Sequence, residues 1–316
     1  MADAALVTLA VPCRTDEPAL GRTLHAALAS VRRAARREAL EVLVCVNGGD
    51  PAGTVEAVRA FAAAAATTAS VVDLDAGGAL PPLAGAVSVV ALVTRRAGKA
   101  IAWNLLRARA RGGRAIFLDA DVSFADDAMA LLLAALDAHP TAALAAGKTT
   151  CVPRPGAFEA IMAAPYGTDF PNLSPQLYGA VVVHRLPPAM PEDLIEPERW
   201  LELTIGADAI VRVPAAWVAV RLPGTLADFF RQRVRIEMGK VQIARQYPAL
   251  RGRGTPQPRI GAALGLGPAG TVRLTAYLTL RSIAHAIAWW RWRRGRTAGV
   301  WVQAASTKQW DAAGTP

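Results

Sequence analysis

At 316 residues with 53% hydrophobic content, the chain is long enough to bury one large core and too apolar to be disordered. Its three cysteines, Cys13, Cys45 and Cys151, are widely spaced and odd in number, which excludes a disulfide framework and a zinc-ligand spacing. The net charge of +10 is uneven, with 16 Lys and Arg against 3 Asp and Glu from Arg221 onward, so the first 220 residues hold 19 against 22.

Ala5 to Pro12 (ALVTLAVP) is apolar and β-prone and predicts a buried strand. Asp16, Glu17 and Pro18 then open a helix in which Leu20, Leu24, Leu28 and Val31 recur at helical spacing. Glu41 to Val46 (EVLVCV) is the second strand, stopped by the turn residues Asn47, Gly48, Gly49, Asp50 and Pro51. An Ala-rich helix over Thr54 to Ala66, a short strand over Val71 to Leu74 and a Gly/Pro-containing loop follow. Val87 to Val93 reads as a strand and Gly98 to Arg109 as a helix; Ile116 to Leu118 and Asp126 to Ala138 repeat that pair. This alternation predicts an α/β fold with a mostly parallel sheet covered on both faces by helices. Cys13 and Cys45 fall in the strand runs and read as small buried apolar residues.

Beyond Cys151 the pattern turns irregular. Ala180 to Val183 reads as a strand, Val211 to Val220 as one or two, and Leu226 to Gln246 as a basic helix. Arg251 to Gly270 is a Gly/Pro/Arg-rich loop long enough for a lid or a linker, and Thr271 to Arg294 is a last helix. No basic segment leads into an apolar stretch near Met1, so the expected location is cytoplasmic, with association at the inner face of the membrane as an option.

The most informative stretch is AIFLDADV, Ala115 to Val122, where Asp119 and Asp121 stand two apart as the strand pattern stops. On an extended chain that spacing puts both carboxylates on one side. At the carboxyl end of a strand in an open α/β sheet it aims them into the ligand crevice. Two neighbouring carboxylates repel unless a hard cation joins them, and Mg²⁺ or Mn²⁺ held by one or two carboxylates plus substrate phosphates is a common solution. A polar turn closing a core strand is the alternative.

Four further segments occur in an order that resembles the inverting family 2 glycosyltransferases of the GT-A fold: VPCRTDE (Val11 to Glu17), VCVNGGDP (Val44 to Pro51), RRAGKAIAWN (Arg95 to Asn104) ahead of LDADV, and RQRVRIEMG (Arg231 to Gly239). The resemblance covers about Leu6 to Val241. It implies a nucleotide-diphospho-sugar transferase fold with basic C-terminal helices, in which 1–245 is the catalytic domain, with 1–150 holding the nucleotide sugar and 151–245 the acceptor. Residues 246–316 then form a basic Gly/Pro loop and an amphipathic helix. The implied activity is metal-dependent transfer of a sugar from a UDP- or GDP-linked donor to a hydroxyl acceptor, either lipid-linked or a precursor of a cell-envelope glycan.

Carried onto this sequence, the resemblance implies that Pro12, Arg14 and Asp16 line the nucleotide pocket, with Thr15 where the family commonly has Asn. Asn47 matches the residue that reads the base edge, although a turn residue of ordinary kind is the alternative. Lys99 falls near the donor phosphates, with Asn104 on the helix behind it. Asp119 matches the ribose-contacting aspartate and shares the metal set with Asp121. A divalent cation and a lysine together neutralise the charge that develops on a departing diphosphate. The base that takes the acceptor's proton falls on Asp193, from the pair Glu192 and Asp193, or on Glu198, from the spacing to Trp200 and Leu201. Gln232 and Arg235 match a Gln-x-x-Arg-Trp segment near the acceptor, with Ile236 in place of Trp. His184 stays out of the metal set.

Thr271 to Arg296 is too interrupted by Arg281 and His285 to span a bilayer. Its Trp/Arg-rich end fits either an in-plane interfacial helix or one docked on the catalytic domain. A nucleotidyltransferase is a rival reading, but no Gly-rich phosphate loop follows the first strand. A catalytically silent basic protein on membrane or nucleic acid is another, and no aromatic stacking platform supports nucleic acid.

Overall fold

The nine residues Leu6–Arg14 form β1, whose burial runs unbroken to Val11 because both of its faces are covered. In this computed structural model the described residues are 6–34, 39–152, 155–167, 177–254 and 266–295. Part of the predicted loop at Arg251 to Gly270 (255–265), Ala5 and Arg296 lie outside them. After β1 come α1 (Leu20–Arg32), β2 (Ala39–Asn47), α2 (Ala52–Ala64), β3 (Ala69–Asp73), β4 (Val87–Thr94), α3 (Lys99–Arg109), β5 (Arg114–Leu118), β6 (Ser123–Phe124) and α4 (Ala128–Ala138). The irregular half supplies β7 (Leu144–Cys151), α5 (Ala157–Ala163), β8 (Leu177–Val182), α6 (Pro197–Ile205), β9 (Ile210–Val220), α7 (Leu226–Gln246) and α8 (Gly267–Arg293).

One sheet joins the nine strands in the order β3-β4-β2-β1-β5-β8-β7-β9-β6. β3, β4, β2, β1 and β5 pair in parallel, and β8 runs antiparallel to both β5 and β7. The α/β expectation and its parallel core are borne out. β1 lies between β2 and β5, so the chain reverses its direction of travel across the sheet there, and the crevice beyond that point is where such sheets take ligands. α1, α2 and α4 bury Leu24, Val58, Phe61 and Leu132 against the strands in a single core that also holds Leu9, Val44 and Ile116.

Several elements depart from the expectations. β7 went unforeseen because Ala145, Ala146 and Gly147 belong to types depleted in strands; its pairing with β8 decides it. α5 and the two-residue β6 are too short to print a period. β9 is one strand of 11 residues, with Pro214 at an exposed position within it. α8 begins at Gly267, inside the predicted loop, since Pro268 is compatible with a helix's first turn. Cys13 and Cys45 are buried as expected, and burial pushes the Cys45 thiol up to about 12.

The amino-terminal edge of the sheet holds a buried polar knot. Glu41, fully enclosed, accepts from the Thr8 hydroxyl at 2.7 Å, from the Arg111 backbone N–H at 3.0 Å and from Arg111 Nε at 2.5 Å. Arg111 also donates to the Pro81 carbonyl at 2.7 Å, tying down the loop between β3 and β4. Replacing Glu41 by Ala leaves that guanidinium without its anion, and the expected loss is about 3–5 kcal/mol of stability, read by urea unfolding.

Contacts divide the chain into two units. The first is Met1–Lys148, Leu173–Asp193 and Thr204–Val218; the second is Thr149–Asn172, Leu194–Leu203 and Ala219–Pro316. In the second unit, α7 and α8 pack through Val234, Met238, Ala284 and Ala288. A neighbouring cluster there joins Met162, Leu222 and Phe229. Among the described residues no helix is long and apolar enough to cross a membrane.

Candidate active site

Parallel pairing brings the predicted residues of the first unit to one edge of the sheet. Arg14 ends β1 opposite Asn47, which ends β2 opposite Thr94, which ends β4. Asp119 and Asp121 follow β5, the other neighbour of β1. Past Leu118 the burial alternates: Ala120 and Val122 are buried at 5% and 4% exposure, while Asp119 and Asp121 are half-buried. The period-two spacing thus keeps both carboxylates out of the core that anchors their neighbours.

Lys99 opens α3 directly after Gly98, whose φ of 144° few other residues adopt. Its ammonium stands 2.8 Å from Asp119 Oδ1 and 2.9 Å from Oδ2, with both side chains largely enclosed at 12% and 19% exposure. Lysine and aspartate therefore form one unit, a charge-assisted pair at the end of β5.

Asn47 is buried, and its Nδ2 donates to the Gly98 carbonyl at 2.8 Å and to Arg96 O at 3.4 Å. In this state its amide nitrogen holds the turn that carries Lys99. Asp75, which the sequence reading missed, accepts from the Arg95 backbone N–H and the Thr94 hydroxyl, both at 2.7 Å. Those bonds, the backbone one first, hold its exposed carboxyl below the ordinary value.

Pro12 is half-buried, and Arg14 and Asp16 are exposed at the mouth of β1. Asp16 has a φ of 61°, and its backbone N–H donates to the buried Thr54 hydroxyl at 2.9 Å. Across from it, the turn of Gly48 and Gly49 has φ of 78° and 54°, and a Cβ on Gly49 would meet Thr15 Oγ1 at 2.7 Å. Glycine is required there for the turn and for its close approach to the β1 loop. Asp50 is exposed and caps the start of α2, accepting from Ala52 N at 3.0 Å.

The segment leading to Asp193 is fastened to the same unit at two points. Asn104 on α3 donates to Met190 O at 2.9 Å and accepts from Met190 N at 2.7 Å. Arg96 pairs with Glu192 at 2.5 Å. Glu192 is exposed and paired with Arg96, and Asp193 beside it is exposed as well. The Arg96 and Asn104 contacts span 96 and 86 residues, and local patterning carries no signal for them.

Glu198, Gln232 and Arg235 belong to the second unit. Glu198 lies in the first turn of α6 at 8% exposure. α7 starts at the Thr225 cap, whose hydroxyl accepts from Asp228 N at 3.1 Å, and carries Gln232 and Arg235 half-buried on its second and third turns. Arg235 lies 4.0 Å from Glu196. His184 is exposed on a short 3₁₀ turn.

Among the described residues no group of three or more His, Cys, Asp or Glu converges as a complete metal cage. Asp119 and Asp121 offer hard oxygen donors and too few to satisfy a divalent ion alone. That donor set fits a Mg²⁺ or Mn²⁺ ion whose remaining ligands are substrate phosphates and water, and it does not fit a resident structural metal.

The sequence model of glycosyl transferase family 2 matches residues 8–156. No curated protein matches the chain. Among solved structures, the mannosyltransferase PcManGT from Pyrobaculum calidifontis, in complex with GDP-Man and Mn²⁺, is 22% identical with a TM-score of 0.55, over 95% of this chain and 77% of that one. Glucosyl-3-phosphoglycerate synthase from Mycobacterium tuberculosis, with Mn²⁺, UDP-glucose and phosphoglyceric acid, is 16% identical at TM-score 0.47, over 75% of this chain and 79% of that one. Mannosyl-3-phosphoglycerate synthase from Rubrobacter xylanophilus is 16% identical at TM-score 0.47, over 81% and 79%. The first of these is a likeness of fold.

Proposed function

We propose a reaction for this chain from one premise: it is a glycosyltransferase, with a family 2 domain over residues 8–156 and the GT-A fold. It moves a sugar from a UDP- or GDP-linked donor to a hydroxyl acceptor with inversion at the sugar carbon. The observation that carries this reading is the Lys99–Asp119 pair beside Asp121 at the sheet's switch point.

The nucleoside lies along the ends of β1 and β2, against Pro12, Arg14, Asp16 and Asn47. Asp119 and Asp121 would hold the divalent ion, Mn²⁺ or Mg²⁺, which would supply charge neutralisation to the diphosphate leaving group. Lys99 offers its ammonium to the same phosphates, and Asp119 fixes where that ammonium stands. Asp193 accepts the proton of the acceptor hydroxyl as its oxygen attacks the sugar carbon from the face opposite the leaving group. Its preference over Glu198 is supported by exposure and by the Asn104 and Arg96 anchors. Residues 1–150 are the donor half and 151–245 the acceptor half, where Gln232 and Arg235 serve the acceptor. The exposed Trp289 and Trp290, stacked under Arg293 and Arg294 at 4.0 and 4.3 Å, support contact of α8 with an anionic membrane surface and a lipid-linked acceptor.

Calorimetry with a panel of UDP- and GDP-sugars tests the donor reading. Binding of at least one donor is expected with Mn²⁺, weakened about tenfold or more when EDTA replaces the metal. No heat from any donor with Mn²⁺ present would overturn it.

A further inference from the structure

The α7/α8 pair of the second unit encloses a cleft of about 540 Å³ whose lining includes Glu237, Lys240 and Val241 from α7 and Leu278, Arg281 and His285 from α8. Glu237, 3% exposed, sits among cations. Lys240 Nζ lies 2.9 Å, Arg281 Nε 3.3 Å and Arg233 Nε 3.7 Å from its Oε1, and His285 Nδ1 lies 3.2 Å from Oε2. Burial alone would push this carboxyl up, yet Lys240, Arg233 and Arg281 hold it below the ordinary value.

One carboxylate against Lys240, Arg233 and Arg281 leaves two positive charges over, or three when His285 is protonated, and burial with the two guanidiniums holds the Lys240 ammonium below its ordinary value. No nearby acid on either helix makes up the difference. α8 has no Asp or Glu from Gly267 to Arg293, and the other acid of α7, Asp228, is bonded to Arg231 at 2.7 Å. Like charges gathered within a few ångströms repel, so the cluster favours an added anion. The side chains remain partly exposed, Lys240 at 35%, Arg281 at 31% and His285 at 55%, in a cleft that Val241 and Leu278 also line.

We propose that this cleft binds a phosphate group, carried by a small phosphorylated molecule or by a lipid headgroup, through Lys240, Arg281 and His285. A phosphate ester carries about −1.5 to −2 charges at pH 7, matching the surplus. Arg281 offers a planar fork and Lys240 a point charge, a pairing suited to phosphate oxygens. Glu237 spaces the cations and stands behind them. The site lies on α7 and α8 and draws on none of the donor residues of the first unit.

Phosphorus NMR and calorimetry on the full chain in EDTA, with inorganic phosphate as one probe and phosphatidylcholine vesicles with and without phosphatidic acid as the other, test this. Lys240→Gln and Arg281→Gln are each expected to weaken binding about tenfold. Arg59→Gln, on the exposed side of α2, is expected to leave binding unchanged, and the donor reading is tested separately with Mn²⁺ and nucleotide sugars, so failure here is separable from failure of that reading. Glu237→Gln is expected to bind phosphate as well or better while melting lower, a divergence that a folding defect alone does not produce. Binding of inorganic phosphate identifies a soluble ligand, and binding confined to vesicles with phosphatidic acid identifies a lipid; either supports the site. The proposal is overturned by absence of binding with both probes, by binding that survives both cleft substitutions, by its loss in Arg59→Gln, or by weaker binding in Glu237→Gln.

Discussion

Asp121→Asn is expected to lower sugar transfer at least about 10³-fold while leaving the melting temperature within a degree or two of the parent. The substitution keeps shape and removes one anionic donor from a site that has two carboxylates, Asp119 and Asp121, and no third converging acid, Cys or His among the described residues. Ala120 and Val122, buried on either side, anchor the turn, so the expected effect on stability is small beside that on turnover. Asp119→Asn is a different lesion. It takes from Lys99 the partner it contacts at 2.8 and 2.9 Å, and the ammonium loses its position along with the metal site its ligand. Mn²⁺ titration followed by electron paramagnetic resonance, with and without nucleotide, measures the ligand loss separately from turnover. Transfer by Asp121→Asn near the parent rate would remove the metal from the mechanism.

Asp193→Asn is expected to lower kcat about 10²–10⁴-fold, the range that a positioned general base contributes, with the donor's Kd unchanged. The segment bearing it is fastened through Met190 to Asn104 and through Glu192 to Arg96, just before the turn that carries Lys99. Glu198→Gln is the matched comparison: this residue is buried at 8% exposure in the first turn of α6. Loss of donor binding in Asp193→Asn would assign the residue to the nucleotide pocket. A kcat near the parent in both variants would remove the two acids from the role of base.

The front half of the fold was legible because parallel strands enclosed on both faces print long apolar runs. LVTLAVP, EVLVCV and VSVVALVT could be placed within a few residues, and the helices between them show their spacing in Leu20, Leu24 and Leu28. The same logic placed Asp119 and Asp121, since a strand end followed by polar residues is a local pattern, whereas Asn47 and Lys99 came from the resemblance to family 2 glycosyltransferases. β7 and α5 were not legible. β7 is made a strand by pairing, Leu144 and Ala145 with Val181 and Ala180 of β8, and seven residues of α5 are two turns with a single buried side chain, Met162.

By itself the sequence determined the strands of the parallel core, the strand end on which the acids stand and the basic character of the rear, all properties of neighbours along the chain. Only the tertiary structure decided who meets whom across long loops. It set Lys99 on both oxygens of Asp119, turned Asn47 to the Gly98 carbonyl, engaged Glu192 through Arg96, and ringed Glu237 with cations from two helices. Those partners stand from 3 to 96 residues apart, and a charge's partner is set by distance through space, for which hydropathy along the chain carries no record.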